Sequence, residues 1–159
     1  MDRFSVAECI KEGCLLLTKI IENPKYECLL LLKHILKKDV AFLYANPSYT
    51  LDPNSYSTFI EYIQRRCSLE PLQYILGNQE FMGLTFYVNP HVLIPRQDTE
   101  TLVENVLSKI PSQRNVSILD IGTGSGCISI SIAHFAKNNT LLALDISDDA
   151  IRVAYNNAS

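Results

Sequence analysis

Residues 119–129, Leu-Asp-Ile-Gly-Thr-Gly-Ser-Gly-Cys-Ile-Ser, set Gly122, Gly124 and Gly126 two apart, with Thr123 and Ser125 between them and Asp120 just ahead. Glycines at this spacing let a chain turn tightly and let a ligand touch bare backbone. The apolar Ile118-Leu119 before the loop predicts a strand and the periodic residues after it a helix. The loop's N–H groups then lie at the positive end of that helix. A glycine turn alone is a weak sign of a ligand, and two carboxylates strengthen it. Asp145 stands at the end of the next predicted strand, about 20 residues past Gly126, where a carboxylate accepts hydrogen bonds from two ribose hydroxyls.

Asp120 bears on which ligand. The spacing is G-x-G-x-G and not the dinucleotide G-x-G-x-x-G, and a dinucleotide would bring two negative charges within a few ångströms of that carboxylate. S-adenosylmethionine carries no phosphate, and Asp120 attracts its sulfonium and ammonium groups directly or through water. The residues favour the methyl donor. Plainer roles compete with this one. Asp120 could bond its own turn, and Asp145 could serve as an N-cap or Asx turn, although Ser147 and Asp148 are equally fitted for that.

The elements that must hold the loop come in two textures. Residues 5–70 predict helices: Ala7, Ile10, Cys14, Leu17 and Ile21 form one apolar stripe, and Leu29, Leu32, Ile35 and Leu36 form the next, opened by Pro24 and followed by Lys37-Lys38. A short piece covers Val40–Ala45, and a fourth helix runs from near Pro53 to Ser68 with Phe59, Ile60 and Ile63 inward. Short helices with brief connections predict a small bundle. From Gly77 the pattern changes. Glu80-Phe81 and Leu84–Val88 flank Met82-Gly83 as a hairpin, and Thr101–Glu104 offers a T-x-x-E capping box to a helix carrying Leu102, Val103, Val106, Leu107 and Ile110. After Pro111 come strand 116–121, the glycine loop, a helix over about 125–136, strand 141–146 and a helix from Asp148. That βαβα order calls for a parallel sheet with covered faces. The boundary is expected between Leu69 and Gly77.

Composition narrows the partners. With 47% hydrophobic and 19% charged residues the chain has the makings of a globular core. Its net charge of −3 supplies no basic field for nucleic acid. The opening Met-Asp-Arg-Phe-Ser-Val-Ala-Glu has no apolar signal region, and no apolar run approaches a membrane span. Five cysteines without a C-x-x-C pair argue against a disulfide framework and for the cytoplasm. His34, His91 and His134 make no metal spacing, so no metal site is expected.

With these residues in hand the chain resembles a class I S-adenosylmethionine methyltransferase. Within that class it resembles the release factor glutamine methyltransferase family (PrmC/HemK). The specific part is Glu70-Pro71-Leu72-Gln73-Tyr74-Ile75 with Gly77, then Phe81, Gly83, Phe86 and Val88. Val92-Leu93-Ile94-Pro95-Arg96 follows, with Thr99-Glu100 and Leu102-Val103-Glu104. These are similar to the family's EP-x-x-Y-I-x-G…F-x-G…F and I-P-R-P-x-T-E-x-L-V-E segments in order and spacing, and Gln97 stands where the family usually has proline. The resemblance implies an α-helical N-terminal bundle for substrate recognition over 1–72 and a β-hairpin linker over 73–97. Over 98–159 it implies the start of a Rossmann-like, doubly wound class I methyltransferase domain, incomplete here.

The function so implied is transfer of a methyl group from S-adenosylmethionine to the glutamine of the Gly-Gly-Gln motif of class I peptide chain release factors. Asp120, Gly122, Thr123, Gly124, Ser125, Gly126 and Asp145 would bind the donor. The family's acceptor motif, Asn-Pro-Pro-Tyr, is absent. Asn46-Pro47-Ser48-Tyr49 looks similar but precedes the loop and is expected to be a turn, and Asn156-Asn157 matches nothing. No catalytic residue can therefore be named. Two parallel strands would leave apolar faces open, so the chain is expected to be a truncated and inactive fragment, with a folded bundle and a looser donor half. A monomer is expected, with no membrane or nucleic-acid contact. Arg96 and Glu100 stand between bordering the cofactor and serving as surface charges. The rival functions are a nicotinamide-dependent oxidoreductase, a nucleic-acid adenine-N6 methyltransferase sharing the donor half, and a non-catalytic interaction module.

Overall fold

The computed structural model describes residues 4–111 and 115–159. They form two compact units, one running to Leu76 and the other spanning Gly77–Ser159.

The first unit is helical: α1 (Val6–Leu17), α2 (Pro24–Leu36), α3 (Val40–Ala45), α4 (Pro53–Cys67) and the short α5 (Leu72–Leu76). Each of the first four starts where a side chain accepts from the backbone of its first turn. Ser5, Asn23, Asp39 and Asp52 take these N-cap roles. At α1 the cap is a full capping box with Glu8. The next two N–H groups, of Val6 and Ala7, donate to the carbonyls of Tyr49 and Pro47. Asn46-Pro47-Ser48-Tyr49 is indeed a turn, closed by Tyr49 N–H on Asn46 O, and its carbonyls satisfy the start of α1. The core gathers Leu17, Leu29, Leu31, Leu32, Phe59 and Ile63, all fully buried. Each contributes about 1.5–3 kcal/mol against exposure.

The buried face of α1 differs from the expected stripe. It runs Val6, Cys9, Gly13, Leu17, with Ile10, Cys14 and Ile21 partly buried beside it and Ala7 exposed. Gly13 explains the shift. It has no side chain to mark the pattern, yet α1 lies closest to its neighbours there: an added Cβ would stand 2.6 Å from Cys28 Sγ and 3.0 Å from Ile63 Cδ1. At the far end Arg66 donates to Glu27 at 2.7 Å and to the Glu70 carbonyl at 2.8 Å, tying α2 to the end of α4. All five cysteines are free thiols. Burial pushes Cys9 up to about 11 and Cys28 up to about 12, which leaves both thiols protonated and unreactive at neutral pH.

The second unit begins with an antiparallel hairpin of β1 (Asn78–Phe81) and β2 (Leu84–Tyr87). Met82 and Gly83 at its tip both have positive φ, 53° and 72°, which matches the twist of a two-residue hairpin turn. Phe81 and Phe86 meet edge to face with centroids 6.1 Å apart and pack in one cluster with Val103. Val103 lies on α6 (Glu100–Lys109), which follows a 3-10 turn over Gln97–Thr99. The expected T-x-x-E box at Thr101 does not form. The helix starts two residues earlier, behind Thr99, with no side-chain cap, so Thr101 already lies inside the first turn. The capping need is relaxed because the 3-10 turn leads straight into the helix.

β3 (Ser117–Ile121) and β4 (Thr140–Leu144) pair in parallel, from Ser117↔Thr140 to Ile121↔Leu144. The connecting helix is α7 (Cys127–Phe135), and α8 (Asp148–Ala158) follows. Ile118 and Leu141 pack on the cluster of the unit. Leu119, Ile121, Leu142 and Leu144 lie exposed on the other face, as expected of a two-stranded parallel sheet. Among the described residues no helix is long and apolar enough to cross a membrane.

Candidate functional site

A parallel strand delivers its last residues to the edge of the sheet, and β3 and β4 end side by side there. The glycine loop leaves β3 at this edge and is held to β4 by backbone: Gly122 N–H and Thr123 N–H both donate to the Leu144 carbonyl, at 2.8 and 2.9 Å. Asp145, directly after β4, closes the other side. Its Oδ2 accepts from Gly124 N–H at 2.8 Å and its Oδ1 from Ser147 N–H at 3.0 Å. The Ser147 and Gly124 bonds both favour the ionised form and hold the carboxyl below its ordinary value of 3.8. Ser147 is the N-cap of α8, accepting from Ala150 N–H, so Asp145 is spared that duty while still making an Asx-type bond to Ser147.

Asp120 bonds its own turn: its Oδ2 accepts from Thr123 Oγ1 at 2.8 Å. Thr123 Oγ1 lies 3.1 Å from Ser129 Oγ, which in turn donates to the Gly126 carbonyl at 3.2 Å. Thr123, Ser125 and Ser129 are buried, so this hydroxyl chain lies beneath the loop and fixes the Asp120 carboxylate from behind. The loop's backbone bends through positive φ at all three glycines, 81° at Gly122, 55° at Gly124 and 79° at Gly126, a region that costs other residues dearly.

The three glycines differ in what surrounds them. A Cβ at Gly122 or Gly124 would meet nothing within 4 Å, whereas one at Gly126 would stand 2.8 Å from Ile130 Cδ1 and 3.2 Å from Ala154 Cβ. Gly126 is glycine because α7 and α8 pack against it. Gly122 and Gly124 face open space, and their outer surface is where a ligand can approach the backbone. The predicted residues Asp120, Gly122, Thr123, Gly124, Ser125, Gly126 and Asp145 are thus brought together around one turn, with two acidic side chains on it. A cavity of about 290 Å³ opens beneath, lined by Ile130, Leu141, Ile151, Tyr155 and their neighbours. Thr123 and Gly126 of the loop and Ser129 beneath it line one side of this cavity, while Asp120 and Asp145 do not reach it.

Two residues of the site escape sequence reasoning. Ser129 sits mid-pattern in a helix and looks like an ordinary filler. Asn157 matches no motif, yet its amide bonds both Tyr87 and Ser125. Glu100 turns toward the hairpin, where its Oε1 accepts from Met82 N–H at 2.6 Å.

Comparison with known proteins follows this division of the chain. Residues 8–77 match the family model described as the PrmC N-terminal domain, and residues 98–159 match that of ribosomal protein L11 methyltransferase (PrmA). A release factor glutamine methyltransferase of Coxiella burnetii is 40% identical over 97% of this chain and 56% of its own. One from Clostridium acetobutylicum is 47% identical over 79% of this chain and 44% of its own. A bifunctional methyltransferase of Rickettsia bellii is 38% identical over 98% of this chain and 33% of its own. The chain therefore spans about half or less of the length of the curated relatives it matches.

Proposed function

The chain belongs to the release factor glutamine methyltransferase (PrmC/HemK) family, and from that premise we propose that its second unit is the S-adenosylmethionine-binding half of such an enzyme. The observation that carries this reading is the pairing of an open glycine turn with two carboxylates, Asp120 and Asp145, at the ends of parallel strands. The positively charged methyl donor suits that setting, and a dinucleotide pyrophosphate does not. Gly122 and Gly124 offer backbone to the methionine end, Asp120 offers charge to its ammonium, and Asp145 has lone pairs left on both oxygens for ribose hydroxyls.

The bound donor supplies an electrophilic methyl group on a sulfonium. The glycine turn and the two carboxylates would fix the two ends of that donor, which is the positioning and electrostatic share of the chemistry. The acceptor we propose is the Gly-Gly-Gln glutamine of class I peptide chain release factors, with the helical unit serving to recognise that protein. The sequence has no Asn-Pro-Pro-Tyr segment, so the amide nitrogen of the acceptor has no partner here to hold it against the methyl.

Calorimetric titration of the purified chain with S-adenosylmethionine, S-adenosylhomocysteine and NADH tests the reading. The first two are expected to bind and NADH to give no heat. Binding of NADH without S-adenosylmethionine would overturn the methyl-donor reading of the glycine turn. Labelled methyl transfer to a release factor by this chain alone is expected to stay at background.

A further inference from the structure

We propose that Asn157 is a positioning residue for the glycine loop, its side-chain amide fixing the Ser125–Gly126 peptide and hence the direction in which the loop presents its backbone. The consequence for ligand binding rests on the methyl-donor reading above; the positioning itself rests on geometry.

Asn157 lies near the end of α8, and its side-chain amide makes three hydrogen bonds that use both of its donors and its oxygen. Its Oδ1 accepts from Tyr87 N–H at 2.7 Å, and its Nδ2 donates to Tyr87 O and to Ser125 O, each at 2.9 Å. Only this orientation of the amide pairs donor with acceptor at every contact. Toward Tyr87, the last residue of β2, the amide behaves as a neighbouring strand would, receiving the N–H and returning a donor to the carbonyl of one residue. Its second proton goes to the loop. One side chain therefore joins the edge of the hairpin to Ser125 of the loop, which is 2% exposed.

The loop needs that tether because of its own glycines. A peptide unit next to glycine flips at little cost, since glycine accepts either sign of φ. The Ser125–Gly126 unit is such a unit, with Gly124 also before it. Gly126 N–H holds one end of the unit by donating to Thr123 O at 2.8 Å, and Asn157 holds the other end by its carbonyl. The upstream part of the turn is fixed separately, by Asp145 on Gly124 N–H and by Leu144 O on Gly122 and Thr123 N–H. Without Asn157 the buried Ser125 carbonyl loses its partner, and the flip that would turn it elsewhere becomes available.

Two variants separate the contacts. Asn157→Asp keeps the shape and the acceptor for Tyr87 N–H but removes both donors. Asn157→Leu removes all three contacts at similar volume. Residue-resolved amide hydrogen exchange on the ligand-free chain is read together with calorimetric affinity for S-adenosylmethionine. In Asn157→Asp the Gly126 amide is expected to exchange about tenfold faster while Tyr87 holds, and in Asn157→Leu both are expected to speed up. The strand amides of Leu119 and Leu142 should stay unchanged in each, and donor affinity should fall about tenfold.

Unchanged exchange at Gly126 in Asn157→Asp overturns the proposal. So does acceleration spread evenly through β3, β4 and α7, which would make Asn157 a general brace of the unit. Faster loop exchange with unaltered affinity overturns it as well, because a loop that binds equally without the tether is not positioned by it. If the unsubstituted chain takes no S-adenosylmethionine, the methyl-donor reading fails, and the exchange comparison still decides whether Asn157 fixes the loop.

Discussion

Asp145 receives two backbone N–H groups, from Ser147 and from Gly124, and both bonds depress its ionisation below 3.8. The sign of the pH dependence follows. A carboxyl whose folded value lies below its unfolded value stabilises fully above the unfolded value and loses that contribution as pH falls through the folded one. The NMR signal of the Gly124 amide should accordingly hold its position from neutral pH to about pH 4 and move only below that. Movement already near pH 6 would assign the latch to another group. Asp145 and the glycines were legible in the sequence because their types speak: glycine marks unusual φ, and a carboxylate after a strand marks a ligand or a turn. Asn157 was not, since its partners lie 32 and 70 positions away and an asparagine late in a helix carries no pattern of its own.

Among the elements, α1 is the most exacting because it crosses α2 and α4 through Gly13. Replacing Gly13 by alanine gains about 1 kcal/mol of helix propensity. It also puts a methyl 2.6 Å from Cys28 Sγ and 3.1 Å from Phe59 Cζ. Both neighbours are fully buried and have nowhere to retreat, so overpacking wins, at about 1–3 kcal/mol net destabilisation. Chemical denaturation of Gly13→Ala followed by far-ultraviolet circular dichroism checks this, and a variant as stable as the parent would mean the helices part without cost. The same element shows what pattern reading misses. Helix spans such as Val40–Ala45 follow from Asp39 ahead and Asn46-Pro47 behind, signals carried by single residues. The inward face of α1 does not, because the residue at the closest approach is the one without a side chain. The start of α6 was misplaced for a related reason: Thr101 and Glu104 have the spacing of a cap, and only the preceding 3-10 turn over Gln97–Thr99 makes that cap unnecessary.

For the whole molecule the two units differ in how completely their elements cover apolar surface. The helical unit closes its helices around Leu17, Leu29, Leu32, Phe59 and Ile63. The α/β unit buries Phe81, Phe86, Val103, Cys127 and Ile132 in one cluster, and Val88, Ala150 and Val153 besides. Both strands of its parallel sheet nevertheless leave Leu119, Ile121, Leu142 and Leu144 44–76% exposed, where they add little at roughly 25 cal/mol per Å² buried. Heating should therefore give two transitions, with the α/β unit unfolding first. The chain has no tryptophan, so scanning calorimetry is the suitable probe. On the proposed donor role, S-adenosylmethionine at about a hundred times its Kd should stabilise the α/β unit by about 2.7 kcal/mol. That should raise the lower transition by roughly 10–20 °C and leave the upper one in place. A single transition that moves as a whole would mean that donor binding and the helical core are one cooperative system. A lower transition that ignores the ligand would mean that the glycine turn, however well latched by Asp145, lacks the rest of its binding surface.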